Sequence, residues 1–141
     1  ADKVHAISNP LSKNFIFSNF FQIKSSPGFA GATFNDNLVK KNMITKDTNW
    51  STESLEYTTL GLSIDNLTAL NLIKKPDLLK IDVDGNELDV IEGCRKTIEQ
   101  SNTISILIET RQETEMNIKK EFEILGLKKS NKSRNNEIWE K

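Results

Sequence analysis

Three acidic side chains lie close together in the segment LLKIDVDGNELDVIEG, residues 78–93. Asp82, Asp84 and Glu87 follow a short apolar run, Gly85 lies among them, and an apolar pattern with helical spacing comes next. Carboxylates grouped in this way could hold a calcium ion, attack a phosphoryl group, or serve a transferase as proton acceptors and hydrogen-bond acceptors. The surrounding sequence helps to choose between these three kinds of chemistry.

The spacing of the cluster argues against a calcium loop. An EF-hand loop needs oxygen ligands at its first, third and fifth positions, glycine at the sixth and glutamate at the twelfth. Asp82, Asp84 and Asn86 suit the first three positions, but Glu87 is at the sixth and Gly93 at the twelfth. The preceding segment also has the pattern of a strand, whereas an EF-hand loop follows a helix.

A phosphatase is the second alternative. The segment IDVDG resembles the D-x-D-G-T opening of haloacid dehalogenase-like hydrolases, which implies that Asp82 is the nucleophile and Asp84 the general acid and base. Asn86 replaces the threonine of that motif, and no acidic pair like the magnesium motif of those hydrolases follows. A phosphohydrolase with Asp82 as nucleophile therefore stays open as an alternative.

Hydrophobic periodicity predicts alternating helices and strands from residue 65 onward. Asp65 is a predicted N-cap, Pro76 is predicted to stop the first helix, and Gly126 is a predicted C-cap. The predicted elements are a helix from Asp65, a strand at 77–83, a helix from Leu88 to near Gln100, a strand at 103–110, a helix at 116–125 and a terminal hairpin anchored by Ile138 and Trp139. The almost wholly apolar run 77–83 favours a strand buried on both faces, parallel and adjacent to 103–110.

The N-terminal part of the sequence contains weaker signals. Residues 3–8 alternate weakly and predict a short strand, and Phe15 and Phe17 suit one face of a second strand. Residues 25–34 contain proline and two glycines and are predicted to be loop or turn. The polar segment 35–54 has no assigned element and is interpreted as an insertion.

Composition excludes several classes of function. The formal net charge is −1, from 19 Lys and Arg against 20 Asp and Glu, so electrostatics give no case for nucleic acid or an anionic membrane as partner. No apolar run approaches the roughly 18 residues of a membrane span, and no signal peptide opens the sequence, which predicts a cytoplasmic protein. Cys94, the only cysteine, is predicted to be a buried thiol. His5, the only histidine, excludes a multi-histidine metal site, and we predict no metal.

The alternation of elements predicts an α/β layered fold, and in such folds ligands bind beyond the carboxyl ends of the strands. Asp82, Asp84 and Glu87 lie at such an end, and Glu109 ends the neighbouring strand. These four residues are the candidate catalytic residues, and Lys80 is predicted to pair with a carboxylate. Clustered carboxylates raise one another's pKa, which suits a base near neutral pH.

Three segments closely resemble the carboxyl-terminal half of the FkbM family of S-adenosylmethionine-dependent methyltransferases. These segments are SIDNL at 63–67, KPDLLKIDVDGNELDVIEGCRKTI at 75–98 and ISILIET at 104–110. The central family pattern is roughly D-L-I-K-I-D-V-E-G-x-E-x-x-V-L-x-G-A. Asp84 stands where the family usually has glutamate, and Cys94 where it has alanine.

The resemblance implies a Rossmann-like methyltransferase fold, with a mostly parallel sheet, helices on both faces and a C-terminal antiparallel hairpin. It implies S-adenosylmethionine as cofactor and O-methylation of a hydroxyl on a glycan, lipid or secondary metabolite, so that the partner is a small-molecule or glycan acceptor. It also implies that Ala6 and Ile7, in the predicted first strand, bind the cofactor together with Asp82. Whether the protein forms a homo-oligomer stays open.

Methyl transfer to a hydroxyl needs the reacting groups held in line and often a base to take the proton. Asp82 is our first candidate for contact with cofactor or acceptor. Of Asp84 and Glu87, one is a candidate base and the other a candidate anchor at the helix N-terminus. Glu109 is a candidate fourth member of the cluster.

The glycine-rich turn D-x-G-x-N-x-G, which holds the cofactor in the FkbM family, does not occur in the sequence. We therefore interpret residues 1–141 as a single partial methyltransferase domain, incomplete at the N-terminus and lacking the N-terminal cofactor-binding strands. On this interpretation the full-length parent is the enzyme, and the 141-residue chain binds S-adenosylmethionine weakly or not at all. A non-catalytic, degenerate methyltransferase fold stays open as an alternative.

Overall fold

A computed structural model describes residues 4–22, 32–34 and 55–141. Seven strands and four helices lie in these ranges. In chain order they are β1 (Ile16–Gln22), β2 (Ala32–Phe34), β3 (Leu55–Gly61), α1 (Ile64–Ala69), β4 (Leu78–Ile81), α2 (Glu87–Gly93), α3 (Arg95–Glu99), β5 (Ser105–Glu109), α4 (Glu115–Ile124), β6 (Lys128–Ser133) and β7 (Asn136–Glu140). From α1 to β7 the helices and strands are interspersed, and the predicted α/β class is confirmed.

A four-stranded sheet with the order β4-β5-β7-β6 forms the C-terminal part of the fold. Strands β4 and β5 are adjacent and parallel, as predicted, with Leu78 opposite Ser105 and Ile81 opposite Ile108. Strand β7 runs antiparallel to both β5 and β6, so the predicted terminal hairpin is confirmed.

A second sheet, with the order β2-β1-β3, is antiparallel throughout. In the described ranges one strand pairing is therefore parallel and four are antiparallel, whereas a mostly parallel sheet was expected. The aromatic segment extends to Gln22 as β1, and Ala32–Phe34 is a strand where a loop was predicted. The rest of that loop prediction, and the insertion predicted at 35–54, lie outside the described residues.

The helices pack against one face of the four-stranded sheet. Ile106, Ile108 and Trp139 point to that face and share one buried cluster with side chains of α2, α3 and α4. On the opposite face Leu78 is 71% exposed, and Leu107 is half-buried. Helices on both faces were expected, but the helices in the described ranges cover one. The prediction that 77–83 is buried on both faces is wrong, because the described residues leave the face of β4 that bears Leu78 open.

The predicted N-cap at Asp65 is wrong. Ser63 caps α1 by accepting a hydrogen bond from the Asn66 amide at 3.2 Å. The Asp65 carboxylate instead accepts from the backbone amides of Lys96 and Thr97, at 3.0 and 2.8 Å. It thereby satisfies the first turn of α3, which explains how the single helix predicted from Leu88 to Gln100 can divide at Cys94.

The C-terminal end of α4 follows the prediction. Gly126 has a φ of 81°, the left-handed conformation that favours glycine. Its amide donates to Glu123 O at 3.1 Å, and the Leu127 amide donates to Phe122 O at 2.9 Å. These two bonds form a Schellman motif, which turns the chain from α4 into β6.

The first predicted strand does not form. Residues 4–8 are exposed and have no regular secondary structure, so Ala6 and Ile7 do not lie in a strand. Regular backbone pairing begins later, where Leu62 donates to Pro10 O at 2.9 Å and Ser12 donates to Leu62 O at 2.7 Å. A buried face is what fixes a strand in a sheet, and residues 4–8 have none because all five are exposed.

Close backbone packing explains why a glycine ends α2. A Cβ atom added at Gly93 would lie 2.2 Å from Ser12 O and 3.0 Å from the Cα atom of Lys13. The N-terminal segment therefore crosses directly over the end of α2. None of the helices in the described ranges is long and apolar enough to cross a membrane.

We expect Gly93→Ala to destabilise the protein, because either the Ser12–Lys13 backbone or α2 must move to admit the methyl group. Overpacking of this kind typically costs about 1 to 3 kcal/mol. Urea unfolding of the variant, compared with the exposed neighbour Glu92→Ala, measures the effect. A Gly93→Ala variant as stable as the control would contradict the close packing.

Candidate active site

The parallel pairing of β4 and β5 brings Asp82 and Glu109 together. Ile81, the last residue of β4, lies opposite Ile108, so Asp82, which follows β4, and Glu109, the last residue of β5, are neighbours on the same face. Lys80 Nζ is 2.5 Å from Asp82 Oδ2, which confirms the predicted pairing of this lysine. Lys80 lowers the pKa of the Asp82 carboxyl through its hydrogen bond and its charge, and partial burial opposes this effect.

Asp84 has a different partner, which the sequence analysis did not identify. Arg111 Nη2 lies 2.7 Å from Asp84 Oδ1, and both side chains are half-exposed. Arg111 follows Glu109 by two residues. A basic residue just past the end of a predicted parallel strand was the sequence signal that could have identified this partner. The ion pair bridges the carboxyl ends of β4 and β5.

Glu87 is separated from the other acids by burial. Only 2% of its surface is exposed. Its Oε1 atom accepts a hydrogen bond from the Gly85 amide at 3.1 Å, and Gly85 makes the turn with a φ of 98°. Its Oε2 atom is buried without a hydrogen-bond partner. A buried polar atom left unpaired typically costs about 1 to 3 kcal/mol, so this position is maintained at the expense of stability.

Burial also changes the acidity of Glu87. It raises the pKa of the carboxyl, although the amides of Glu87 and Gly85 and the charge of Arg111 act in the opposite direction. Asp84 adds a smaller increase. The acids therefore raise one another's pKa only slightly here. Desolvation has the largest effect on the pKa of Glu87, and Lys80 has the largest effect on the pKa of Asp82.

Asn86 was not singled out as a functional residue by the sequence analysis. It is 6% exposed, and its Nδ2 atom donates to Phe34 O at 2.5 Å. This bond ties β2 to the turn between β4 and α2. The other side-chain atom, Oδ1, is buried without a hydrogen-bond partner, so Asn86 and Glu87 both present an unused acceptor.

The candidate catalytic residues therefore form three groups. Asp82 and Glu109 are neighbours at the helix-free face, Asp84 is paired with Arg111, and Glu87 is buried next to Asn86 in the chain. Within the described ranges, no group of three or more His, Cys, Asp and Glu side chains is arranged to hold a metal ion. Carboxylates so placed can accept hydrogen bonds from hydroxyl or ammonium groups and can take a proton.

Cys94 does not belong to this arrangement. It is fully buried, and its thiol donates to Ile91 O at 3.3 Å. Burial raises the pKa of the thiol to about 12, so the reactive thiolate is scarce at neutral pH. The prediction of a buried, unreactive thiol agrees with this geometry.

A comparison with protein-family models matches residues 16–133 to the Methyltransferase FkbM domain. The chain belongs to this family. No curated protein and no solved structure gave a match. The matched range contains the acidic edge and also takes in β1 and β6, so it extends on both sides of the segments that carried the resemblance in the sequence. The alternative of a haloacid dehalogenase-like phosphohydrolase receives no support.

We expect Lys80→Met to raise the pKa of Asp82 toward its ordinary value of 3.8, because the largest influence lowering it is removed. Carboxyl carbon shifts in an NMR titration measure this change. Lys74→Met, an exposed lysine before β4, is the matched control and should leave the Asp82 titration in place. An unchanged titration in Lys80→Met would show that the ion pair does not form in solution.

Proposed function

We propose that this chain forms part of an S-adenosylmethionine-dependent methyltransferase that methylates a hydroxyl of a glycan, lipid or secondary metabolite. The membership of the FkbM methyltransferase family supports the reaction class. The observation that supports the location of the site is that Asp82 and Glu109 are neighbours at the carboxyl ends of two parallel strands. Ligands of α/β folds bind beyond such ends.

The carboxylates at this edge fit part of the proposed cofactor. S-adenosylmethionine carries an ammonium group and two ribose hydroxyls, and charged carboxylates accept hydrogen bonds from such donors. Asp82 and Glu109 are the residues of this chain that would hold them. The glycine-rich turn of the family is not in the sequence, so the remaining contacts would come from outside this chain, and the chain alone should bind the cofactor weakly or not at all.

The environment of Asp82 suits a binding role. Lys80 keeps the pKa of this carboxyl low, so Asp82 is charged across the physiological range and is a poor proton acceptor at neutral pH. A permanent charge at the strand end can orient a cationic ligand. When bound, S-adenosylmethionine would supply an electrophilic methyl group, and the residues of this edge would position the acceptor beside it.

We expect Asp82→Asn to lower turnover by ~10²-fold or more in the full-length enzyme, because the variant keeps the shape of the side chain and removes its charge. The assay is transfer of labelled methyl from S-adenosylmethionine to a panel of hydroxylated acceptors, normalised to folded protein. Asp77→Asn, at the opposite end of β4, is the matched control and should retain the wild-type rate.

Two results would contradict this proposal. Unchanged turnover in Asp82→Asn, with the wild type active, would remove Asp82 from the site. Magnesium-dependent release of phosphate from an aryl phosphate by the wild type, without S-adenosylmethionine, would contradict the reaction class.

A further inference from the structure

Arg111 is the only basic residue in the two segments that follow the parallel strands at the acidic edge. Residues 82–89 follow β4 and residues 110–114 follow β5, and every other charged residue in these two segments is acidic. Ligands of α/β folds bind beyond this edge of the sheet. The guanidinium of Arg111 is therefore the one cationic group that these segments offer to a bound ligand.

The backbone of Arg111 is anchored on both sides. The Thr110 amide donates to Asn135 O at 2.7 Å, in the turn between β6 and β7. The Arg111 carbonyl accepts from the amides of Thr114 and Glu115, at 3.0 and 2.9 Å, where α4 begins. The side chain therefore extends from a fixed point just beyond β5, which lowers the entropy that a ligand contact at its end would cost.

The guanidinium of Arg111 is oriented but not saturated. Its Nη2 atom donates to Asp84 Oδ1 at 2.7 Å, and the Arg111 side chain is 48% exposed. Within the described ranges, Asp84 is the only side chain to which this guanidinium is hydrogen-bonded. A guanidinium carries five N–H donors in a rigid planar fork, so donors remain for a ligand that reaches the edge from solvent.

Stability alone is a weak explanation for an arginine at this place. A half-exposed ion pair such as that between Arg111 and Asp84 contributes little to the free energy of unfolding. The bond to Asp84 does orient the guanidinium across the ends of β4 and β5. Carboxylates and phosphates present two oxygen atoms that match the arginine fork, and such charge-assisted hydrogen bonds are among the strongest in proteins.

We propose that Arg111 binds an anionic group of the methyl acceptor, a carboxylate or a phosphate, and so selects acidic acceptors over neutral ones. This inference rests on the proposed methyltransferase function and narrows its acceptor class. The cationic part of the cofactor is assigned to Asp82 and Glu109, which leaves the guanidinium beyond β5 for the acceptor. Asp84 is a positioning residue in this arrangement, and it competes with the acceptor's anionic group for Arg111.

The first test measures labelled methyl transfer by the full-length enzyme to pairs of hydroxylated acceptors that differ only in a carboxylate or phosphate. Arg111→Met keeps an unbranched side chain and removes the charge. We expect it to raise KM for the acidic member of each pair by about 10-fold to 100-fold, because charge-assisted hydrogen bonds are lost. KM for the neutral member and kcat should stay as in the wild type. Arg95→Met removes the ion pair with Glu121 between α3 and α4 and is the matched control, which should change neither constant.

Asp84→Asn distinguishes a binding role of Arg111 from a purely structural one. If the ion pair only holds the ends of β4 and β5 together, removal of either partner should have the same effect. If Arg111 binds the acceptor, Asp84→Asn frees the guanidinium and should lower KM for acidic acceptors, whereas Arg111→Met raises it. An equal rise of KM in both variants would overturn the binding role.

A second test measures binding without turnover. The Nε–Hε signal of Arg111, assigned by its absence from the spectrum of Arg111→Met, is followed by NMR while glucuronate, inorganic phosphate or glucose is added. We expect saturable shifts with glucuronate and with phosphate, and no shift with glucose, which has no anionic group. The absence of a shift with both anions would overturn the role of Arg111 whether or not the enzyme methylates the acceptor panel.

The carboxylate of S-adenosylmethionine is the other anionic group that could reach Arg111, and calorimetry on the full-length enzyme distinguishes it. We expect Arg111→Met to bind the cofactor as tightly as the wild type. Weaker cofactor binding with an unchanged preference among acceptors would overturn the assignment to the acceptor. An active wild type without preference for acidic acceptors would overturn the role of Arg111 and leave the methyltransferase function in place. A wild type that binds glucuronate at Arg111 but methylates no hydroxylated acceptor would contradict the methyltransferase function instead.

Discussion

The parallel pairing of β4 with β5 is the constraint on which the candidate site depends. Because both strands end at the same edge, Asp82 and Glu109 meet there, and the chain that continues from each strand places Asp84 beside Arg111. Antiparallel strands would have placed these groups at opposite ends of the sheet. The helices α2 and α3 make this pairing possible, since a parallel connection needs a crossover segment.

The carboxyl groups at this edge of the sheet lie in different environments. Lys80 keeps Asp82 charged at the open face of the sheet, whereas burial makes Glu87 a weaker acid on the helix side. Groups whose pKa values are moved apart in this way can divide the work of binding and proton transfer. Elsewhere in the fold a buried carboxylate is fully paired: Glu137 accepts from Lys129 at 2.6 Å and from Trp139 Nε1 at 2.9 Å. The unpaired oxygen of Glu87 therefore contrasts with a structural carboxylate of the same protein.

The sequence predicted the elements whose signals are local. Strands β4 and β5, helix α4 with its glycine cap and the terminal hairpin follow from short apolar patterns and turn residues. The partners of Asp65 and Asn86 could not be predicted, because Thr97 and Phe34 are 32 and 52 residues away in the chain. The burial of Glu87 was not predicted either, because its place in the first turn of a helix identified it only as a candidate base or anchor, whereas its side chain is 2% exposed.

The carboxyl end of the parallel strands separates one charged, exposed carboxyl, Asp82, from one buried acid, Glu87. The most direct test is an NMR titration of the carboxyl carbons of Asp82 and Glu87 in the folded protein. We predict that Asp82 titrates below its ordinary value of 3.8 and Glu87 above its ordinary value of 4.5. Glu87 titrating at or below 4.5 would show instead that its carboxyl is solvated or paired, and that the two acids do not differ in this way.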